Sequence, residues 1–290
     1  MEYLKNKCNK IFICFLFILG LYSCSEDAEI QLNKNLQKQE KINVSYGTDT
    51  AQKYDLYLPA DRSKSFTKFF VLIHGGSWIS GDKSDLNYLV QSLQNNFSEY
   101  AIVNLNYRLA SLTRNAFPMQ LNDIESAISH LKSNAETNQI SENSAFIGIS
   151  AGAHLSMLYS YQNPINVEMI CSIVGPTNFT DPNYLDNPDF NNFVLGLQLI
   201  TGENFETNPR YFENLSPYHI VTESAPPTIL FYGGKDELVP TSQGIDLDIK
   251  LSELNIDHEF TLYENEGHGW QGQSAIDTNN KLISFIKKHF

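Results

Sequence analysis

The sequence predicts an α/β fold: a mainly parallel, eight-stranded sheet with helices on both faces. Three observations carry that expectation. Five short runs are apolar almost throughout, as strands buried on both faces are. Segments with helical apolar spacing lie between them. The chain has 290 residues, 42% hydrophobic and only 18% charged, enough to bury a large core. That composition excludes a wholly disordered chain, a collagen-like fibre and a disulfide scaffold. Lys and Arg total 20 against 33 Asp and Glu, a formal charge of −13. This balance argues against a nucleic-acid partner, because phosphate binding needs clustered cations.

In chain order, Lys5, Lys7 and Lys10 precede an apolar run from Ile11 to Leu21. The run is too short to span a bilayer core and reads as a secretory signal. Leu21-Tyr22-Ser23-Cys24 resembles a bacterial lipobox. The resemblance implies a signal peptide over 1–23 and lipidation of Cys24, giving a membrane anchor. The alternative is an ordinary signal peptide with an incidental Cys. Ser25-Glu26-Asp27 is similar to surface-export signals of Bacteroidota lipoproteins, which points to the cell envelope, at the outer membrane or cell surface. Residues 24–41 are polar and read as a tether, leaving the folded domain at 42–290.

Ile42 to Tyr46 and Lys53 to Leu58 alternate polar and apolar, as half-exposed antiparallel strands do, with Gly47-Thr48-Asp49 as the turn. The buried-strand runs are Phe69–Ile73, Ala101–Leu105, Ala145–Ile147, Met169–Val174 and Thr228–Tyr232, and Glu259–Tyr263 is strand-like. Helical spacing joins Leu86, Leu89, Val90 and Leu93; then Met119, Ile124, Ala127, Ile128 and Leu131. It recurs at Ile245, Ile249, Leu251 and Leu254, and at Leu282, Ile283, Phe285 and Ile286. Residues 175–224, rich in Asn, Asp, Pro and Tyr, show no clear alternation and are expected to form a small cap over the site. Past the signal, Cys171 is the one cysteine besides Cys24, and it reads as a small core residue. No zinc-ligand spacing such as C-x-x-C or H-E-x-x-H occurs.

Four motifs at strand ends carry the chemistry. Gly148-Ile149-Ser150-Ala151-Gly152 is a Gly-x-Ser-x-Gly sequence between a buried strand and a helix, the context of a nucleophile elbow. His74-Gly75-Gly76-Ser77-Trp78 follows Phe69–Ile73, and such backbone can approach a developing oxyanion. Gly75, Gly76 and Ala151 are the expected N–H donors. No G-K-[ST] follows, so a phosphate loop is disfavoured. Gly233-Gly234-Lys235-Asp236-Glu237 offers an acid to orient a histidine, Asp236 preferred and Glu237 competing. Gly267-His268-Gly269-Trp270 offers that histidine, its glycines letting a loop side chain reach inward. His74 belongs to the oxyanion loop and His154 to the helix after the elbow; His130, His219, His258 and His289 read as surface or packing residues. Trp78 and Trp270 are candidates for a substrate pocket.

The chain order Ser150, Asp236, His268 is that of α/β-hydrolases, and from about Lys53 onward the sequence resembles the esterase/lipase group of that superfamily. This group holds carboxylesterases, acetyl- and feruloyl-esterase-like enzymes and kynurenine formamidase-like proteins. Further matching segments are Gly81-Asp82-Lys83, Asn106-Tyr107-Arg108-Leu109, Phe117-Pro118 with Asp123, and Ser216-Pro217 with Pro226-Pro227-Thr228. Ile149, Ala153 and Ser77 depart from the hormone-sensitive-lipase-like pattern, although Ser77 still has a backbone N–H to offer. The resemblance implies an α/β-hydrolase fold and a serine esterase that needs no metal or organic cofactor. Its expected substrate is a small ester with a short acyl, aryl or carbohydrate moiety. An amidase or peptidase with the same triad, or a non-catalytic binding protein on the same fold, are the rivals.

Overall fold

The computed structural model describes residues 36–290. The signal peptide, Cys24 and most of the expected tether lie outside the described residues. The remaining elements follow in chain order. β1 (Gln39–Ser45) and β2 (Lys53–Leu58) form the expected hairpin, β3 (Phe69–Ile73) leads into the first glycine loop, and α1 spans Asn87–Asn96. β4 (Ala101–Leu105), α2 (Met119–Ser133), α3 (Ala135–Asn138), β5 (Ser144–Ile149) and α4 (Ala151–Gln162) precede β6 (Val167–Ile173). Helices α5 (Pro182–Leu185), α6 (Asn191–Thr201), α7 (Pro209–Asn214) and α8 (Pro217–Ile220) then separate β6 from β7 (Thr228–Gly233). α9 (Ser242–Glu253), β8 (His258–Tyr263) and α10 (Gly272–His289) complete the chain.

The strands form one eight-stranded sheet in the order β1-β2-β4-β3-β5-β6-β7-β8. β1 and β2 pair antiparallel, β2 meets β4 antiparallel, and every later pairing is parallel. The chain moves from β3 to β4 on one side, then returns to place β5 on the other. Ligand sites of open α/β sheets sit at such a reversal, beyond the carboxyl ends of the strands. Here Ile73 and Gly148 are partners in the ladder, so the two glycine-rich loops leave the sheet side by side.

The strand period of two divides the core. Phe69, Val71 and Ile73 face a cluster with Ile124 and Leu131 of α2, Leu155 of α4, and Leu247 and Leu251 of α9. Phe70 and Leu72 face a second cluster with Leu89 and Leu93 of α1, and Leu282 and Phe285 of α10. Cys171 is fully buried in the second cluster, in the packing role expected of it.

Three expectations need correction. β1 begins at Gln39, and the Asp61 N–H donates to the Leu36 carbonyl, so ordered chain reaches into the presumed tether. In α9 the expected core residues Ile245 and Ile249 are exposed, while Gln243, Gly244, Leu247 and Leu251 are buried. A Cβ on Gly244 would press on the Tyr232 ring at 2.5 Å, and the buried Gln243 amide bridges Thr177, Asn178 and Asp181; these contacts rotate the helix. Lastly, the segment 175–224 is helical. Pro182, Pro209 and Pro217 each open a helix at its first turn, where the missing N–H costs nothing.

Candidate active site

Ser150 sits between β5 and α4 with φ +54° and ψ −122°, a strained conformation for a residue with a side chain. Its N–H is held by the Ile173 carbonyl at 2.8 Å, and its own carbonyl accepts from His154 N at 3.0 Å. A Cβ on Gly152 would lie 2.1 Å from the Ile73 carbonyl oxygen and 2.4 Å from that of His74. Glycine is therefore required there, because α4 starts in contact with the end of β3.

The loops carrying Asp236 and His268 converge on that serine. Asp236 follows β7, and its carboxylate is shielded from solvent. One oxygen accepts from the Leu238 and Val239 N–H groups, at 2.8 and 2.9 Å. The other lies 2.8 Å from His268 Nδ1. A carboxylate only accepts, so Nδ1 carries the proton and Nε2 presents its lone pair. Nε2 lies 2.9 Å from Ser150 Oγ. Glu237, the competing acid, is exposed.

The glycines flanking His268 do not explain its reach, since a Cβ on Gly269 would meet nothing within 4 Å and one on Gly267 only the Lys235 carbonyl at 3.7 Å. The tight position is Gly233, where a Cβ would meet the Gly267 carbonyl oxygen at 2.1 Å. The Lys235 N–H donates to the Glu266 carbonyl and Gly234 N–H to that of Tyr263, which fastens the two loops together.

Gly75 approaches the serine closely: a Cβ there would lie 3.2 Å from Ser150 Cβ. Gly76 has φ +112°, and Ser77 and Trp78 continue in the left-handed region at +51° and +63°. Among the described residues, the N–H groups of Gly76 and Ala151 donate to no backbone carbonyl. Both therefore have a donor to spare beside Ser150.

Several matching segments act by holding this loop. The His74 ring stacks on Tyr107 at 4.4 Å, and Tyr107 donates its hydroxyl proton to the His74 carbonyl. Burial lowers the His74 pKa, against an opposing hydrogen bond to Gly75. Asn106 receives the Lys83 N–H and donates to Asp82, while Lys83 pairs with Asp55 at 2.9 Å. Burial pushes the Asp82 pKa up, but hydrogen bonds from Asn106 and Ser84 outweigh it and hold the group at about 2. Buried Asp123 accepts from Arg108 and Gln52.

The two tryptophans divide. Trp78 is 2% exposed and packs among Phe117, His154, Phe179 and Phe193, so it is a loop anchor and not a pocket wall. Its carbonyl accepts from Ala110 N and Gln120 Nε2. Trp270 is half-buried beside His268 and does line a cavity. The cleft at Ser150, about 580 Å³, is walled by the 75–77 backbone, Ser80, Asp85, Leu86, Ile149, Leu238 and His268. No residue of 175–224 lines it, contrary to the expected cap. The aromatic residues of that segment pack inward: Phe179, Tyr184 and Phe212 are fully buried. The segment reaches the cleft only indirectly, through a 3.3 Å bond from the Tyr184 hydroxyl to the Leu238 carbonyl. Sequence reasoning had no signal for Asp85, Leu86 or Leu238, whose part depends on loop geometry.

The sheet, elbow and loop order define an α/β-hydrolase fold. Comparison narrows the class: the BD-FAE family model matches residues 54–251, and the chain belongs to that family. It is similar to the protein named Esterase LipC of Mycobacterium tuberculosis (strain ATCC 25618 / H37Rv), 26% identical over 214 residues. That match covers 69% of this chain and 52% of the other, so the chain spans about half the length of this relative. Among solved structures, one described as a bifunctional GH43-CE from Bacteroides eggerthii superposes with TM-score 0.72 at 22% identity, over 86% of this chain and 38% of that one. A truncated carbohydrate esterase from gut microbiota gives 0.69 at 18% identity, covering 87% and 98%. At such identities these structures speak to the fold.

Proposed function

We propose that the protein is a serine carboxylic-ester hydrolase acting through Ser150, His268 and Asp236. The observation that carries this is the continuous relay from Ser150 Oγ to His268 Nε2 and from Nδ1 to Asp236, with the proton placed on Nδ1. Ser150 attacks the ester carbonyl carbon while Nε2 takes its proton. The carbonyl electrons move onto oxygen, which the N–H groups of Gly75, Gly76 and Ala151 receive. When the tetrahedral species collapses, the imidazolium returns the proton to the departing alkoxide, releasing an alcohol. Water, deprotonated by the same nitrogen, then cleaves the acyl-enzyme to a carboxylic acid and free Ser150. Asp236 keeps the imidazole in the productive tautomer and stabilises its cationic form.

The substrate reading is a small ester with a short acyl group. The cleft wall on the glycine-loop side is partly polar, with Ser77, Ser80 and Asp85. Both an aryl and a carbohydrate alcohol fit this reading. We further propose export and anchoring to the bacterial envelope through lipidated Cys24, on the lipobox-like sequence alone. The test is hydrolysis of p-nitrophenyl esters with two to sixteen acyl carbons. Wild type is expected to favour two to four carbons, and Ser150→Ala to lose turnover while unfolding as wild type does. Near wild-type turnover by Ser150→Ala refutes the serine mechanism; a maximum at the longest chains refutes the short-acyl reading.

A further inference from the structure

A second cavity, about 770 Å³, adjoins the catalytic cleft and shares His268 and Ile149 with it. It lies between α1 and α10 at the carboxyl end of the sheet. Its walls include Tyr88, Ile149, Ile173, His268, Trp270 and Ile276. Ser150 itself lines the neighbouring cleft, and the two spaces meet at Ile149 and His268 on either side of it. No Asp, Glu, Lys or Arg lines it, in a chain of formal charge −13. Tyr88 and Ile276 are 58% and 54% exposed, leaving large apolar side chains in water beside the site. Part of its hydrogen-bonding capacity is already engaged, because Trp270 Nε1 donates to Thr278 Oγ1 and Asn279 Oδ1 accepts from Ser92. Besides His268, the Tyr88 hydroxyl and the Gln271 amide are the other polar side-chain groups on an otherwise mainly apolar wall.

The reaction chemistry says which part of an ester belongs there. The attacked carbon carries Ser150 Oγ, the oxyanion, the leaving oxygen and the acyl chain. The oxyanion turns to Gly75, Gly76 and Ala151, and the leaving oxygen must approach His268 Nε2 to receive its proton. His268, Gly269 and Trp270 border the cavity, whereas no oxyanion donor does. We infer that this cavity is the subsite for the alcohol moiety of the ester, and that it takes an apolar aralkyl or aryl alcohol in preference to a sugar. The inference rests on the ester-hydrolase reading above. Area removed from water is what these walls supply.

The test compares ethyl acetate with 3-phenylpropyl acetate, both esters of unactivated primary alcohols. Wild-type kcat/KM should be about tenfold higher for the phenylpropyl ester, and Ile276→Asp should cut that preference about tenfold. Ile276 is a surface position, and Ile276→Leu should keep the preference. Equal kcat/KM for the two acetates, or a preference untouched by Ile276→Asp, overturns the inference. So does an effect of Ile276→Asp on methyl hexanoate relative to methyl acetate, which would make this an acyl subsite. A second readout is titration of the Ser150→Ala protein with 3-phenylpropanol, followed by tryptophan fluorescence. Trp78 is buried at 2% exposure, so a saturable change reports Trp270. Its loss on adding Ile276→Asp supports the subsite, and a silent titration overturns it. Failure of wild type to turn over either acetate sinks the hydrolase reading itself; turnover of both with an unmoved preference sinks only the subsite.

Discussion

Replacing Asp236 by Asn tests the relay most sharply, because the variant keeps shape and removes only the charge and one acceptor. In the native site one carboxylate oxygen accepts from Leu238 and Val239 N–H while the other accepts from His268 Nδ1. A carboxamide has one acceptor atom and cannot serve both. Turned so that its oxygen faces Nδ1, it aims an NH₂ at the Leu238 and Val239 N–H groups, and leaving the buried Val239 donor unpaired costs about 1–3 kcal/mol. Turned the other way, its NH₂ faces Nδ1, which must then be unprotonated. Nε2 would carry the proton and have no lone pair for Ser150. The second arrangement is the cheaper one, so the histidine is driven into the wrong tautomer.

A loss of about 10⁴ in kcat follows, equivalent to roughly 5.5 kcal/mol of transition-state stabilisation. The assay is initial rates on p-nitrophenyl acetate, with a melting curve to verify folding. Glu237→Gln, at an exposed carboxylate, should stay close to wild type. A kcat for Asp236→Asn within tenfold of wild type, or a comparable loss in Glu237→Gln, refutes the reasoning.

Three further outcomes are expected. Gly152→Ala should cost about 3 kcal/mol or more, because its methyl would lie about 2 Å from the Ile73 carbonyl oxygen and helix and strand would have to part; denaturant titration within 1 kcal/mol of wild type would contradict that. Burial lowers the His154 pKa from 6.5 to about 4, against a hydrogen bond to the Leu215 carbonyl. Between those values the unfolded chain takes up a proton that the folded chain does not. This group therefore stabilises fully above pH 6.5, and its contribution falls by up to about 1.4 kcal/mol per pH unit as pH drops toward 4. His154→Phe should flatten the stability profile over that window, and an unchanged slope counts against the assignment. Cys24→Ala should release the protein from the membrane fraction or block its processing, since each buried acyl methylene contributes about 0.8 kcal/mol to anchoring; unchanged partitioning would exclude the lipid anchor.

The parts of the molecule that obey a period were legible in the sequence. β3, β4, β5 and β7 are apolar almost without interruption because helices cover both sides of the sheet, and their limits were read to within a residue or two. The candidate site residues were legible for a different reason: each lies within five residues of a strand's carboxyl end. Ser150 comes after β5, His74 after β3, Asp236 after β7, and His268 after β8. What escaped had no local pattern. Three of the four helices of 175–224, α5, α7 and α8, begin at prolines that read as breaks. The orientation of α9 is decided by Gln243, a polar residue buried because partners from residues 177–181 saturate its amide. Trp78 follows four residues of an exposed-looking loop, and only the packing of Phe117, Phe179 and Phe193 draws it under the surface.

The two glycine-rich turns are best understood as one object. β3 and β5 are neighbours in register, and their loops leave the sheet together. Gly152 rests on the carbonyls of Ile73 and His74, while a Cβ on Gly75 would lie 3.0 Å from the Ile149 carbonyl oxygen. Neither loop can move without displacing the other. Ser150 is strained at φ +54°, and that strain persists because the Ile173 carbonyl holds its N–H and α4, buried from Ala151 to Tyr161, cannot rotate away. Tyr107 then pins the far side of the 74–78 loop through the His74 carbonyl, and Asn106 holds residues 82–83 just beyond it. Donors fixed in this way need no reorganisation when charge develops, which is the condition under which such donors act most strongly. The sheet thus fixes the distance between Ser150 and the N–H groups proposed to receive the oxyanion, and the loops carrying Asp236 and His268, fastened at Gly233, need only deliver His268 to Ser150.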